Sequence, residues 1–192
     1  MSTITFADKP VLDDGRVRLR PVRTADADAL FATGPESNRL TGTHQSFTIE
    51  RLRDWYTSRG DHCDRIDWAI TERGHPSGDD AWLGEVVLND LDADNLSCNF
   101  RILIGQPQDF GRGLGTAATR LALGHAFDAV GVHRVELEVY DFNPRARHVY
   151  EKVGFRREGT RRDALRWDGA WVDAHQMGLL SPDWRRANPP TG

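Results

Sequence analysis

Two cysteines, Cys63 and Cys98, and two lysines, Lys9 and Lys152, are all that 192 residues hold of either type. Two isolated thiols exclude a disulfide framework and give no metal-ligand spacing, which fits a reducing interior. The seven histidines are scattered without metal spacing either, so no metal is expected. No apolar run approaches the roughly 20 residues of a membrane span. The opening Met1-Ser2-Thr3-Ile4 lacks the charged and apolar regions of a signal peptide. A cytoplasmic protein with no membrane partner is therefore expected. An excess of basic charge is also missing. The net charge is −4, which gives no reason to expect nucleic acid as a partner. The cations are almost all arginine, a mark of GC-rich coding that says nothing about mechanism.

What remains is ordinary globular material. A hydrophobic share of 39% and a charged share of 28% suffice for one buried core. No repeat or linker divides the chain, so one domain over residues 1–180 is expected, with 181–192 as a flexible tail.

The most informative stretch is Phe110-Gly111-Arg112-Gly113-Leu114-Gly115-Thr116, directly after the apolar run Phe100 to Ile104. Three glycines in five positions describe a strand turning tightly into a helix. The first N–H groups of a helix have no internal acceptor and lie at the positive end of its dipole, so this turn suits a phosphate group. A Gly-rich turn made only for packing is the plain alternative.

Around that turn the chain reads as alternating elements. Arg16 to Val22 alternates apolar and charged residues as a half-buried strand, after a loose lead-in over residues 1–14. Thr24 caps a helix from Ala25 to about Thr33, stopped by Gly34-Pro35. Asn38 to Phe47 is irregular, and Thr48 caps a second helix to about Arg59. Ile66–Thr71, Ala81–Leu88 and about Ser97–Ile104 form an antiparallel meander. A helix follows from about Gly113 to Val130, apolar on two sides, and then a strand from His133 to Asp141. Asn143-Pro144 opens a short helix closed by Gly154. Phe155 to Trp167 and Ala170 to Leu180 pair around Asp168-Gly169, a two-residue hairpin turn.

This order, with three motifs, resembles the GCN5-related N-acetyltransferase (GNAT) superfamily, and within it the ribosomal-protein N-acetyltransferase type. The motifs are Arg18-Leu19-Arg20-Pro21 with Thr24-Ala25-Asp26-Ala27, then Pro107 to Thr116, then Asn143-Pro144-Arg145-Ala146-Arg147-His148-Val149-Tyr150-Glu151-Lys152-Val153-Gly154-Phe155. The resemblance runs from about Arg16 to Leu180. It implies an α+β fold, with a mostly antiparallel sheet splayed around the cofactor and helices on both faces. It also implies acetyl transfer from acetyl-coenzyme A to a primary amine, by direct attack in a ternary complex.

By the same resemblance, the pantetheine arm pairs with the backbone of Ile102, Leu103, Ile104 and Gly105. The pyrophosphate sits on the amides of Gly111, Arg112, Gly113, Leu114, Gly115 and Thr116 beside Phe110. Asn143 is expected near the cofactor or its thiolate, with a helix cap as its simpler reading. Tyr150 is the implied general acid, with a core role as its alternative. Glu138 is the favoured base; Glu85 or a chain of water molecules stays open, and Phe100 stands where ribosomal-type relatives often carry glutamate. The acceptor groove falls to residues 38–47 and the Asp168 hairpin, with His44 in it. The acceptor is either a protein N-terminal α-amine or a small amine such as a polyamine, amino sugar or antibiotic. A monomer or homodimer is expected. A binding-only acyl-coenzyme A sensor is the rival outside catalysis. A dinucleotide fold and a nucleotide P-loop fail on glycine spacing and the missing Gly-Lys-Ser/Thr.

Overall fold

The computed structural model describes residues 4–44 and 47–189. The first residues of the lead-in, two residues of the 38–47 stretch and the end of the tail lie outside it.

A short β1 (Leu12–Asp13) leads into β2 (Val17–Pro21), whose alternating pattern turns Val17 and Leu19 into the core. Phe6 in the lead-in is also fully buried, its N–H bonded to the Cys63 carbonyl, so the lead-in is packed rather than loose. The first predicted helix is broken. A 3₁₀ turn at Thr24–Asp26 precedes α1 (Ala27–Phe31), and Pro35 then starts α2 (Pro35–Leu40) instead of merely ending its predecessor. Proline suits a first helical position, where its missing N–H would have had no acceptor. The third helix, α3 (Ile49–Ser58), is capped by Thr48 as expected.

The strands β3 (Ile66–Glu72), β4 (Gly84–Asp92) and β5 (Ser97–Ile104) form the meander. Next come α4 (Leu114–Gly124), β6 (Arg134–Tyr140), α5 (Pro144–Val153), β7 (Arg156–Trp167), β8 (Ala170–Leu180) and α6 (Ser181–Ala187). The eight strands lie in the order β1-β2-β3-β4-β5-β6-β8-β7, all antiparallel except β5 with β6. The fold is thus α+β, with a mostly antiparallel sheet. The hairpin between β7 and β8 turns on Asp168 (φ 47°) and Gly169 (φ 83°), both left-handed, as its two-residue loop requires.

Each face of the sheet has its own cover. One packs Leu19, Trp68, Val86, Leu88 and Phe100 against Leu114, Ala118, Ala122 and Leu123 of α4 and Tyr150 and Val153 of α5. On the other, α1 and α3 bring Ala27, Leu52 and Tyr56 together over a polar floor. The long helix expected to reach Val130 widens into a π turn over His125–Val130 and ends at Gly131 (φ 88°). That turn carries Phe127 beneath Trp184, ring centroids 5.7 Å apart, and Asp128 accepts the indole N–H at 3.0 Å. Trp184 belongs to α6, so the expected flexible tail is a docked helix as far as Ala187. With Trp184 only 5% exposed, Trp184→Ala should lower unfolding free energy by about 3 kcal/mol. A chemical denaturation midpoint checks this.

Among the described residues, no helix is long and apolar enough to cross a membrane.

Candidate active site

The site begins where the sheet stops being a sheet. β5 and β6 pair only at Ser97–Arg134, Cys98–Val135 and Asn99–Glu136, after which neither finds a partner on that side. Which backbone groups face the gap follows from strand geometry. Gly105 donates its N–H to Leu83 at 2.9 Å, on the β4 side, and the side served alternates residue by residue. Leu103 and Arg101 therefore also point to β4, while Ile102 and Ile104 point into the gap. Of the four residues expected to meet a pantetheine arm, Ile102 and Ile104 present their edge. Leu103 and Gly105 have theirs engaged with β4.

α2 bridges the top of the gap. Ser37 donates to the carbonyls of Ile104 (2.9 Å) and Gly105 (3.0 Å) on one side. On the other, Asn143 donates to the Leu40 carbonyl at 3.2 Å. The Asn143 Oδ1 accepts the Ala146 N–H at 3.1 Å and so caps α5. Asn143 is thus a cap and a brace, and it lines the same groove, with one N–H of its amide still unbonded among the described residues.

Beyond Ile104 the chain enters the Gly-rich turn. Phe110 donates to Pro107, and the first helical bond of α4 is Ala117 to Gly113. Between them, the N–H groups of Gly111, Arg112, Gly113, Leu114, Gly115 and Thr116 find no acceptor among the described residues. No side chain caps α4 either. Gly111 (φ 74°) and Gly113 (φ 84°) hold left-handed conformations that only glycine adopts freely, and they expose this row of donors. A Cβ built at Gly111 or Gly115 meets nothing within 4 Å. Open space in front of six unpaired donors at a helix N-terminus fits a diphosphate.

Side chains brace the turn from behind. Arg112 pairs with Glu72 and, at 2.7 Å, with the buried Asp109, while Arg16 donates to the Arg112 carbonyl at 2.9 Å. The Arg112 guanidinium is thus occupied, and only its amide faces the open space. Phe110 lies under the guanidinium of Arg145, 4.1 Å from ring centroid to Cζ.

One groove of about 1580 Å³ runs from this turn through the gap to the polar floor below α3. Tyr150 lines it while packing edge-on against Phe100 (6.1 Å) and Phe155 (5.9 Å). Its hydroxyl has no hydrogen-bond partner among the described residues, and it is not one of the sealed, unpartnered polar atoms. A purely structural tyrosine this deep would have its hydroxyl satisfied. Burial pushes the Tyr150 pKa upward, so it keeps its proton at neutral pH.

The two carboxylates considered as bases stand differently. Glu138 lines the groove and is paired with the exposed Arg161 at 2.5 Å. Glu85 pairs in register with Leu103, and its side chain accepts from the Tyr56 hydroxyl. Burial first, and the Asp67 charge next, push Glu85 up to about 7, against the opposing pull of Tyr56 and Arg65. Paired residues of antiparallel strands share a face, so Glu85 looks out on the α3 side and Tyr150 lies on the other. The gap in the sheet joins them.

His44 stacks on Trp167 of the hairpin at 4.4 Å, and Phe142 lies 6.4 Å from that Trp167 ring, so the 38–47 stretch meets the Asp168 hairpin, although of these three rings only His44 lines the groove. Sequence reading missed Tyr56, Asn89 and Arg101. Tyr56 reads as the apolar stripe of α3, four residues after Leu52. For Arg101, the signal was the polar pair Asn99, Arg101 alternating with Cys98, Phe100 and Ile102 along β5; Asn89, on β4 opposite Asn99, had no such signal.

Comparison with known proteins follows the same lines. A family model described as an acetyltransferase (GNAT) domain matches residues 16–156. "Probable N-acetyltransferase YjcK" of Bacillus subtilis is 27% identical over 87% of this chain and 95% of its own. The [Ribosomal protein uS5]-alanine N-acetyltransferase of Escherichia coli is 31% identical over 46% of this chain and 45% of its own. The crystal structure of spermidine N-acetyltransferase from Vibrio cholerae, in complex with CoA and spermine, superposes with a TM-score of 0.78. It shares 21% identity over 89% of this chain and 99% of that one.

Proposed function

We propose that this chain, which belongs to the GNAT acetyltransferase family and is an N-acetyltransferase using acetyl-coenzyme A, acetylates an α-amine, with Glu85 as base and Tyr150 as acid. The observation that carries the reading is the row of six unpaired amides opening onto a split sheet with an unpartnered tyrosine hydroxyl in the split.

Bound acetyl-coenzyme A supplies the acyl group as a thioester. The amides of Gly111 to Thr116 hold its diphosphate, and the gap-facing edge of Ile102, with the N–H of Ile104, whose carbonyl Ser37 occupies, aligns its arm like an added strand. The N–H groups on those edges also offer donors for negative charge that develops on the acyl oxygen. Tyr150 keeps its proton until a departing thiolate needs one.

Glu85 removes the proton that keeps an ammonium from attacking. The size of the pKa gap decides which amine suits it. An α-ammonium near 7.7–8.0 lies roughly one unit above a base near 7, about 1.4 kcal/mol uphill. A lysine-like ammonium near 10.4 lies roughly three and a half units above, more than 4 kcal/mol. An α-amine is therefore the better-matched acceptor. The ribosomal-type resemblance of Arg18 to Pro21 and the matched uS5-alanine enzyme support a protein N-terminus as its source; a small α-amine is the alternative source.

Thiol release from acetyl-coenzyme A over peptide and small amines tests the reading. The rate should rise with pH through about 7 as Glu85 ionises, and Glu85→Gln should flatten that rise while lowering the plateau. Stability runs the other way. Glu85 binds its proton more tightly folded than unfolded, so its contribution is full below the ordinary carboxylate range and is lost as pH rises through about 7. Glu85→Gln should remove that loss in denaturation measured at several pH values. Tight binding of acetyl-coenzyme A with no thiol release on any amine would replace this reading with a binding-only sensor.

A further inference from the structure

The polar floor of the groove carries charges of both signs, and they are unevenly paired. Arg134 holds both Glu136 (3.0 Å) and Glu158 (2.5 Å), and Arg161 holds Glu138 at 2.5 Å. Arg65 holds the buried Asp67 at 2.7 Å. Asp90 accepts from the side-chain amides of Asn89 (2.5 Å) and Asn99 (2.8 Å). Arg101 stands among these groups exposed, and forms no ion pair or hydrogen bond with any described residue.

Its position relative to Glu85 is fixed by register. Arg101 faces Val87 and Leu103 faces Glu85, so Arg101 and Glu85 share the α3 face one step apart, roughly 7 Å along the strands. A second unfilled group lies next to it. Asn89 is 8% exposed, and its Oδ1 has no partner among the described residues because Asp90 fixes the amide by its other end. A buried acceptor without a donor is costly unless a ligand supplies one.

We infer that the acceptor carries a carboxylate close to its amine, that Arg101 grips this carboxylate while the amine faces Glu85, and that the oxygen of Asn89 takes an N–H from the same molecule. This rests on the transferase reading above. A peptide with an acidic residue beside its N-terminus has the required groups at the required separation. A polycation lacks them. It would need a row of unpaired carboxylates along the floor, and here Glu136, Glu138, Glu158 and Asp67 are neutralised by arginines of the chain itself, which leaves Asp90, held by two amides, and Glu85.

The test uses two amide-capped peptides that differ at one atom group, alanyl-glutamyl against alanyl-glutaminyl at the N-terminus, with spermidine as the polycation. The glutamyl peptide should show kcat/KM about tenfold above its partner, the range of a partly screened charge-assisted contact. Arg101→Ala should bring the ratio to about one, and Arg101→Glu should reverse it. A ratio near one in the unaltered protein, a ratio that survives Arg101→Ala, or spermidine outrunning both peptides overturns the inference. Absence of turnover on every amine, with acetyl-coenzyme A still bound, would instead sink the transferase reading. Calorimetry of the two peptides with coenzyme A present then decides for Arg101: equal affinities overturn its role, and a glutamyl preference lost in Arg101→Ala upholds it.

Discussion

Tyr150→Phe should lower kcat by about 100-fold or more, the usual contribution of a positioned general acid, while leaving acetyl-coenzyme A affinity within about twofold. The exchange removes one oxygen from a ring that stays packed on Phe100 and Phe155, so no cavity opens and no protein hydrogen bond is lost. Stability should be unchanged or slightly higher, because the deleted hydroxyl had no partner among the described residues. Stopped-flow detection of thiol, beside calorimetric affinity, separates the two effects. A rate that falls less than fivefold would return Tyr150 to the core.

Gly115→Asp should weaken acetyl-coenzyme A binding by at least about 100-fold, close to 2.7 kcal/mol. The new side chain enters open space, where even a Cβ has no neighbour within 4 Å, and the position has an ordinary helical backbone. A carboxylate in the first turn of α4 lies near the positive end of the helix dipole, so stability should rise by about 0.3–1 kcal/mol. The same carboxylate occupies donors that a diphosphate needs and repels the diphosphate charge. Affinity lost while the melting temperature rises is a signature that simple damage to the fold does not give. Unchanged affinity would place the diphosphate elsewhere.

Much of this site is legible in the sequence because it depends on local rules. Alternation gave the strands, Asp168-Gly169 the hairpin, and the glycine spacing a turn that bares its amides. What sequence reading missed depends on contacts between distant segments. Pro35 reads as a stop although it also suits a helix start, and the tie from Ser37 to Ile104, 67 residues away, anchors the helix that begins there. Trp184 looks like part of a frayed end until the π turn sets Phe127 under it. Glu138 and Glu85 are equivalent as letters. Arg161 pairs with one, burial and then Asp67 raise the pKa of the other, and neither arrangement has a local pattern. Asn143 is the reverse case: its capping role is local and was visible, and its tie to Leu40, 103 residues away, was not.

The bridge made by α2 has a mechanical consequence. The two strands pair in parallel only as far as Asn99 and Glu136, and β4 carries its bulge beside that point, between Asn89 and Asp92. Ser37 and Leu40 brace the two sides like a strut, and Gly42, with a Cβ site 2.5 Å from the Tyr140 ring, leaves no slack at the joint. The cleft is therefore propped open in advance, and the guest need not wedge it apart. Removing the Ser37 hydroxyl would release one side of that brace and leave the tie from Asn143 to Leu40 on the other.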